Sequence, residues 1–165
     1  MTVADLNQMD RDAFVESIGW VFEHSPWVAQ RAYAAKPFVS IDALHAAMVV
    51  EIRQATGDEQ LALLRAHPDL GARARMSGSS TAEQAGAGLD RLSPVQFETL
   101  QRLNREYRDT FGFPFLYAVK GGTVADILAA LEKRRTAGYD EELDEALRQV
   151  SRIARFRLEA ALSGE

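Results

Sequence analysis

Few side chains in this sequence do chemistry at neutral pH. There are no cysteines and only three histidines. His67 follows the run "LALLRA" and directly precedes Pro68. A residue before proline is pushed out of the helical region, so His67 is placed at a helix end, where an imidazole can face a cleft. Its ordinary pKa of about 6.5 suits proton transfer at neutral pH. The same position also fits a histidine that only complements a helix C-terminus. His45 adjoins Leu44 on an apolar helical stripe and reads as a packed, hydrogen-bonded side chain. His24 ends the first helical run, where the helix dipole favours an imidazole. No two histidines are spaced i, i+3 or i+4, and the absence of cysteine excludes thiolate catalysis, disulfides and zinc–thiolate sites, so no metal site is expected.

Three further elements could bind or activate a ligand. Ser80 and Glu83 form an S-x-x-E pattern, which predicts a capping box with Ser80 as the helix cap. Gln84 has no part in such a box; near the exposed N–H groups of a helix start it could hold a polar or anionic ligand. On the last helix Leu143, Leu147, Val150, Ala154 and Ala161 share one stripe, and Arg157 falls on it. Arg148, Arg152 and Arg155 fall on the polar side. A cation on a buried face needs a partner. Either a structural carboxylate or a ligand carrying carbonyl or carboxylate groups would serve Arg157. Finally, "FGFPFLYAVKGG" interrupts the helical pattern. Aromatic residues around Gly and Pro hold non-helical backbone against a core, and its N–H and C=O groups could read the edge of a planar heterocycle. A buried connector satisfies the same pattern.

The elements that must position these residues are helical. A first run spans Asp10 to Glu23, with Phe14, Ile18, Val21 and Phe22 on one side. Ser25 and Pro26 predict the cap and first position of a second helix, which stops before Pro37. Ser40 caps a third with Ile41, Leu44, Met48 and Ile52 in a stripe; Gly57 closes it, and "DEQLALLRA" makes a fourth. "STAEQAGAGL" and "SPVQFETLQRLNREYRDTF" follow, the latter with Leu100, Leu103, Tyr107 and Phe111 in line. "TVADILAALEKRR" is capped by Thr123, and a last helix runs from Asp140 to about Leu162. No repeat or linker divides the chain. The expectation is an all-α fold, a single compact domain of about seven to nine packed helices over residues 1–165.

Composition sets the function classes. At 47% hydrophobic and 26% charged, the chain is globular rather than disordered. A net charge of −5 argues against a nucleic-acid partner, which needs a basic surface. No run approaches the roughly 18 apolar residues of a membrane span. "MTVADLNQMDRDAF" lacks the apolar stretch of a signal peptide, and "ALSGE" is no peroxisomal tripeptide. A cytoplasmic protein is expected.

Taken in order, "HPDL", "SxxEQ", "FGFPF" and an Arg-Leu near the end of the last helix resemble the OHCU decarboxylases. These are the 2-oxo-4-hydroxy-4-carboxy-5-ureidoimidazoline decarboxylases of ureide and purine catabolism. The resemblance spans nearly the whole chain. It implies an all-α domain, usually a homodimer, and catalysis without a metal or organic cofactor. The implied partner is a small ureidoimidazoline, decarboxylated to (S)-allantoin in the last step of urate degradation. The resemblance implies catalytic roles for His67 and Glu83. It implies substrate binding by Pro68, Ser80, Thr81, Ala82, Gln84 and Arg157, and by the backbone of Phe115, Leu116, Tyr117, Ala118 and Val119. Ser80 is preferred to Ser77 and Ser79 by its distance from Glu83. The stretch from Leu70 to Ser79 has the Gly and Ser content that lets a loop move over substrate. Two alternatives stay open: a non-catalytic helical binding or adaptor module, in which "HPDL" is a helix stop and S-x-x-E a cap, and an enzyme acting on a related ureide.

Overall fold

The computed structural model describes residues 1–72 and 77–163. Among these residues there are nine α-helices and no strand: α1 Val3–Asn7, α2 Arg11–Ile18, α3 Trp27–Ala32, α4 Ile41–Gln54, α5 Gly57–Arg65, α6 Gly78–Gly86, α7 Pro94–Phe111, α8 Val124–Arg134 and α9 Tyr139–Ala161. The all-α expectation holds. None of these helices is long and apolar enough to cross a membrane. The chain groups into two compact units, Met1–Ala66 with Val150–Glu165, and His67–Gln149.

The first unit contains α1 to α5 and the C-terminal part of α9. Side-chain caps set its helix starts. Thr2 and Asp10 accept from the N–H groups of Asp5 and Ala13, Ser40 from that of Ala43, and Thr56 forms a capping box with Glu59. Phe14, Ile18, Leu44, Met48, Ile52, Leu63 and Leu64 are fully buried. His45 is half-buried, with Nε2 2.7 Å from the carbonyl oxygen of Ser151, as a packed histidine should be.

Several boundaries differ from expectation. The run predicted from Asp10 to Glu23 breaks at Ile18, because Gly19 caps α2 and opens a single 3-10 turn, Gly19–Val21. His24 is therefore not in a last helical turn; it is exposed, in left-handed backbone at φ 46°. Ser25 does not cap α3. Its hydroxyl donates to the Glu23 carbonyl at 2.8 Å, and α3 begins after Pro26 without a side-chain cap. Gly57 opens α5 instead of closing α4, which ends where Ala55 becomes extended. The Thr56–Glu59 box carries the signal that the Gly57 assignment passed over.

The second unit contains α6 to α8 and the start of α9. Ser93 caps α7 with Pro94 at its first position, and Thr123 caps α8 through a box with Asp126, as expected. Gly112 ends α7 in left-handed backbone at φ 78°. The chain from Phe113 to Val119 is non-helical. Tyr107 is the centre of an aromatic cluster, with ring centroids 4.6 Å from Phe111, 6.0 Å from Phe113 and 5.4 Å from Phe115. On α9 the predicted stripe is buried at Leu147, Val150, Ala154 and Arg157, while Leu143 and Ala161 are only half-buried; the buried face is wider than the stripe and also takes in Glu142, Ala146, Gln149, Ser151 and Leu158.

Candidate active site

His67 sits two residues beyond α5, at 7% exposure. Pro68, half-buried, prevents the helix from continuing through it. A tight turn follows, in which the Ala72 N–H donates to the Asp69 carbonyl at 3.2 Å and Gly71 takes φ +72°. Glycine suits this positive φ, and a Cβ at Gly71 would lie 2.6 Å from Leu100 Cδ2, so a larger residue would also have to displace the leucine side chain.

Three side chains pin this turn. Asn104 Nδ2 donates to the Leu70 carbonyl at 2.9 Å, and the Gly71 N–H donates to Gln84 Oε1 at 2.8 Å. Both bonds are buried. On the surface, Arg108 Nη2 donates to Asp69 Oδ1 at 2.6 Å. Asn104 and Arg108 are one turn apart on α7, so one face of that helix holds the segment that carries His67. Asn104 Oδ1 is buried with no hydrogen-bond partner among the described residues.

The start of α6 corrects the capping prediction. Ser77, not Ser80, is the cap: its Oγ accepts from the Ser80 N–H at 3.1 Å. The helix begins three residues earlier than S-x-x-E suggests, because Ser77 stands in the same relation to Ser80 that Ser80 has to Glu83. Ser80 lies inside the helix, buried at 6% exposure. Gln84, one turn on, is on the same buried face at 6%, and Glu83 beside it is half-buried. Thr81 and Ala82 are exposed, and Thr81 Oγ1 donates back to the Ser77 carbonyl at 2.9 Å. The bond from Gly71 fixes the orientation of the Gln84 amide, so its Nε2 hydrogens are the groups offered to another acceptor. Of the expected mobile stretch Leu70–Ser79, residues 73–76 lie outside the described residues, and Ser79 belongs to α6.

The segment after "FP" is held from one side. Phe115, Leu116, Ala118 and Val119 are buried and Tyr117 is half-buried. Arg134, the last residue of α8, donates from Nη1 to the Leu116 carbonyl at 2.7 Å, and its guanidinium lies 4.5 Å from the Phe115 ring centroid. Arg134 is in turn anchored on Glu142, which is 2% exposed: Nε donates to Glu142 Oε1 at 2.6 Å, and Nη2 lies 2.5 Å from the same oxygen. The Tyr107 hydroxyl donates to Oε1 at 2.5 Å. Burial, and then this bond to a carboxylate, push the Tyr107 hydroxyl well above the usual phenol range, so it stays a neutral donor. Further along, Gln149 Oε1 accepts from the Ala118 N–H at 2.9 Å while its Nε2 donates to Glu145 at 2.7 Å.

Arg157 belongs to the first unit. It is 5% exposed and has the structural carboxylate left open above: Nη1 is 3.2 Å from Glu23 Oε1, with the Val21 carbonyl at 3.4 Å. Arg148 and Arg155 pair with surface acids, as their polar-side positions require. Among the described residues no three His, Asp or Glu side chains group as a metal ion would need.

Sequence reasoning missed Glu23, Asn104, Arg134, Glu142 and Gln149. Three had a readable signal. Asn104 is four residues from Leu100 on the same apolar stripe, the feature that singled out Arg157. Glu142 and Gln149 are seven apart on α9, flanking the buried Ala146.

The second unit thus contains a buried imidazole on a pinned turn, a helix carrying a hydroxyl, a carboxylate and an amide, and a pinned non-helical segment. The model of the OHCU decarboxylase family matches residues 7–159. A 2-oxo-4-hydroxy-4-carboxy-5-ureidoimidazoline decarboxylase of Halalkalicoccus jeotgali is 52% identical over 159 residues, 96% of this chain and 90% of that one. A protein of the same name from Haloferax volcanii is 48% identical over 165 residues, 100% of this chain and 98% of its own. The crystal structure of an (S)-allantoin synthase superposes with a TM-score of 0.79 at 32% identity, over 98% of this chain; the chain spans 54% of that protein. Matched from residue 7 to residue 159 and by relatives of nearly its own length, the chain belongs to the OHCU decarboxylase family.

Proposed function

We propose that this protein, acting as one domain over its whole length, decarboxylates 2-oxo-4-hydroxy-4-carboxy-5-ureidoimidazoline to (S)-allantoin, with no metal or organic cofactor. Family membership supports the reaction. The observation that carries the assignment of roles is His67, buried at the end of "LALLRA" on a turn that Asn104 and Gln84 hold. In the reaction the bond from a ring carbon to its carboxylate breaks, carbon dioxide leaves, and the electron pair passes into the unsaturated group beside it. A proton is then delivered to one face of the ring, which sets the stereochemistry of allantoin.

His67 is the proton-transfer group and Glu83 its catalytic partner in this reading. Ser80 and Gln84 Nε2 offer donors to the developing charge. Pro68, Thr81, Ala82, the Phe115–Val119 backbone and Arg157 complete the substrate contacts that the family implies. A cytoplasmic homodimer belongs to the same proposal, and sedimentation at micromolar concentration checks the dimer.

The test generates the unstable substrate in place, from urate and the two upstream enzymes, and follows optically active allantoin by circular dichroism. This protein should accelerate its appearance. Equal rates with and without it remove the assignment, and turnover of a different ureide alone would transfer it to the related-ureide alternative. His67→Ala should keep the wild-type melting temperature and lose roughly 10²–10⁴-fold in turnover. A His67→Ala protein with near-normal turnover takes His67 out of the mechanism.

A further inference from the structure

We infer that Gln149 and Arg134 are positioning residues that set which edge of the Leu116–Ala118 backbone meets the substrate; this rests on the function proposed above. Leu116 and Ala118 are two residues apart. In extended backbone the peptide groups of alternate residues point to the same side, and those of the residue between point to the other. The Phe115 and Tyr117 rings are stacked, 6.0 Å apart and 16° from parallel, which is the same alternation seen in the side chains.

Arg134 takes the Leu116 carbonyl and Gln149 the Ala118 N–H, so the protein holds this edge by one group at each of the two positions. The N–H and C=O of Tyr117 have no hydrogen-bond partner among the described residues. A peptide edge with one donor and one acceptor matches the N–H and C=O of a cyclic ureide. A slip of one residue would reverse the two edges. The two anchors oppose that slip because each is itself fixed, Arg134 by Glu142 and the Phe115 ring, Gln149 by Glu145.

Neither side chain needs to touch substrate. Their effect is on recognition, and it separates from a general loss of stability. Gln149→Leu removes the acceptor for the Ala118 N–H at similar volume. It should raise KM roughly tenfold, the size of one hydrogen bond, and speed hydrogen exchange at the Ala118 amide. A purely structural role would instead lower the melting temperature and the active fraction, leaving KM as in the wild type. Arg134→Lys provides the second variant, since an ammonium cannot serve Glu142, the Leu116 carbonyl and the Phe115 face together; it too should raise KM. Active wild type with unchanged KM and unchanged Ala118 exchange in Gln149→Leu overturns the positioning role alone. Wild type that forms no allantoin overturns the proposed function, and this role in it.

Discussion

Ser77 and Ser80 lie one helical turn apart and divide two duties that a single serine had been expected to combine. Ser77 caps α6 through the Ser80 N–H, while the Ser80 side chain is buried inside the first turn. Ser77→Ala should cost about 1 kcal/mol, the usual worth of a cap, and lower the melting temperature by about 2–4 °C in a chain of this length. Ser80→Ala leaves the cap intact, and in the proposed reading it should lower turnover more than Ser77→Ala does while moving the melting temperature less. Thermal melts and allantoin assays on both variants check this; the reverse ranking returns Ser80 to a structural role. The sequence made the position of His67 legible because proline forces the preceding residue out of the helix. It could not separate the serines, since Ser77 and Ser80 both satisfy local cap rules and only the start of α6 decides between them.

At the scale of elements, α7 serves both parts of the candidate site. Asn104 and Arg108 hold the turn after His67, and Tyr107 packs on Phe115 while donating to Glu142. Asn104→Leu would release the Leu70 carbonyl, a loss of about 1–3 kcal/mol if it stays unsatisfied, but would also remove the unpartnered buried Oδ1. These terms oppose each other, so stability should change little while the turn loosens. The expected result is a fall in turnover of roughly tenfold or more, by analogy with small misplacements of catalytic groups, with the melting temperature nearly unchanged. Wild-type turnover in Asn104→Leu would show that Gln84 alone positions the turn. Elements with side-chain caps and long stripes, α4, α7 and α8, were legible from sequence, as was the extent of α9. The start of α3 was not, because Ser25 spends its hydroxyl on Glu23. Nor was the full width of the buried face of α9, where Glu142 and Gln149 are buried by partners on α7, α8 and the Phe115–Val119 segment that no local pattern announces.

At the scale of the whole molecule, a buried arginine–glutamate pair stands in each unit, Arg157 with Glu23 in the first and Arg134 with Glu142 in the second. Helix content and core followed from periodicity, but these pairs join residues distant in sequence, and only the fold identifies the partners. The pair in the second unit has a measurable signature because Tyr107 donates into it. The folded state raises the Tyr107 pKa well above its unfolded value of 10.0, by burial first and then by the bond to Glu142. A group whose folded pKa is raised contributes stability that is fully present below the unfolded pKa and is lost as pH rises above it. Up to pH 10 the hydroxyl is protonated in both states. Beyond pH 10 the unfolded tyrosine ionises and the folded one does not, so unfolding releases a proton and becomes easier. The loss is at most about 1.4 kcal/mol per pH unit for one group. Tyr107→Phe removes this term. It should start less stable, since Glu142 loses a donor, and then lose less stability than the wild type between pH 10 and pH 12. The other three tyrosines and the lysines titrate in both proteins and cancel in the difference. Denaturant unfolding at several pH values measures it; parallel curves for wild type and Tyr107→Phe would mean that Tyr107 ionises as readily in the folded protein as in the unfolded chain.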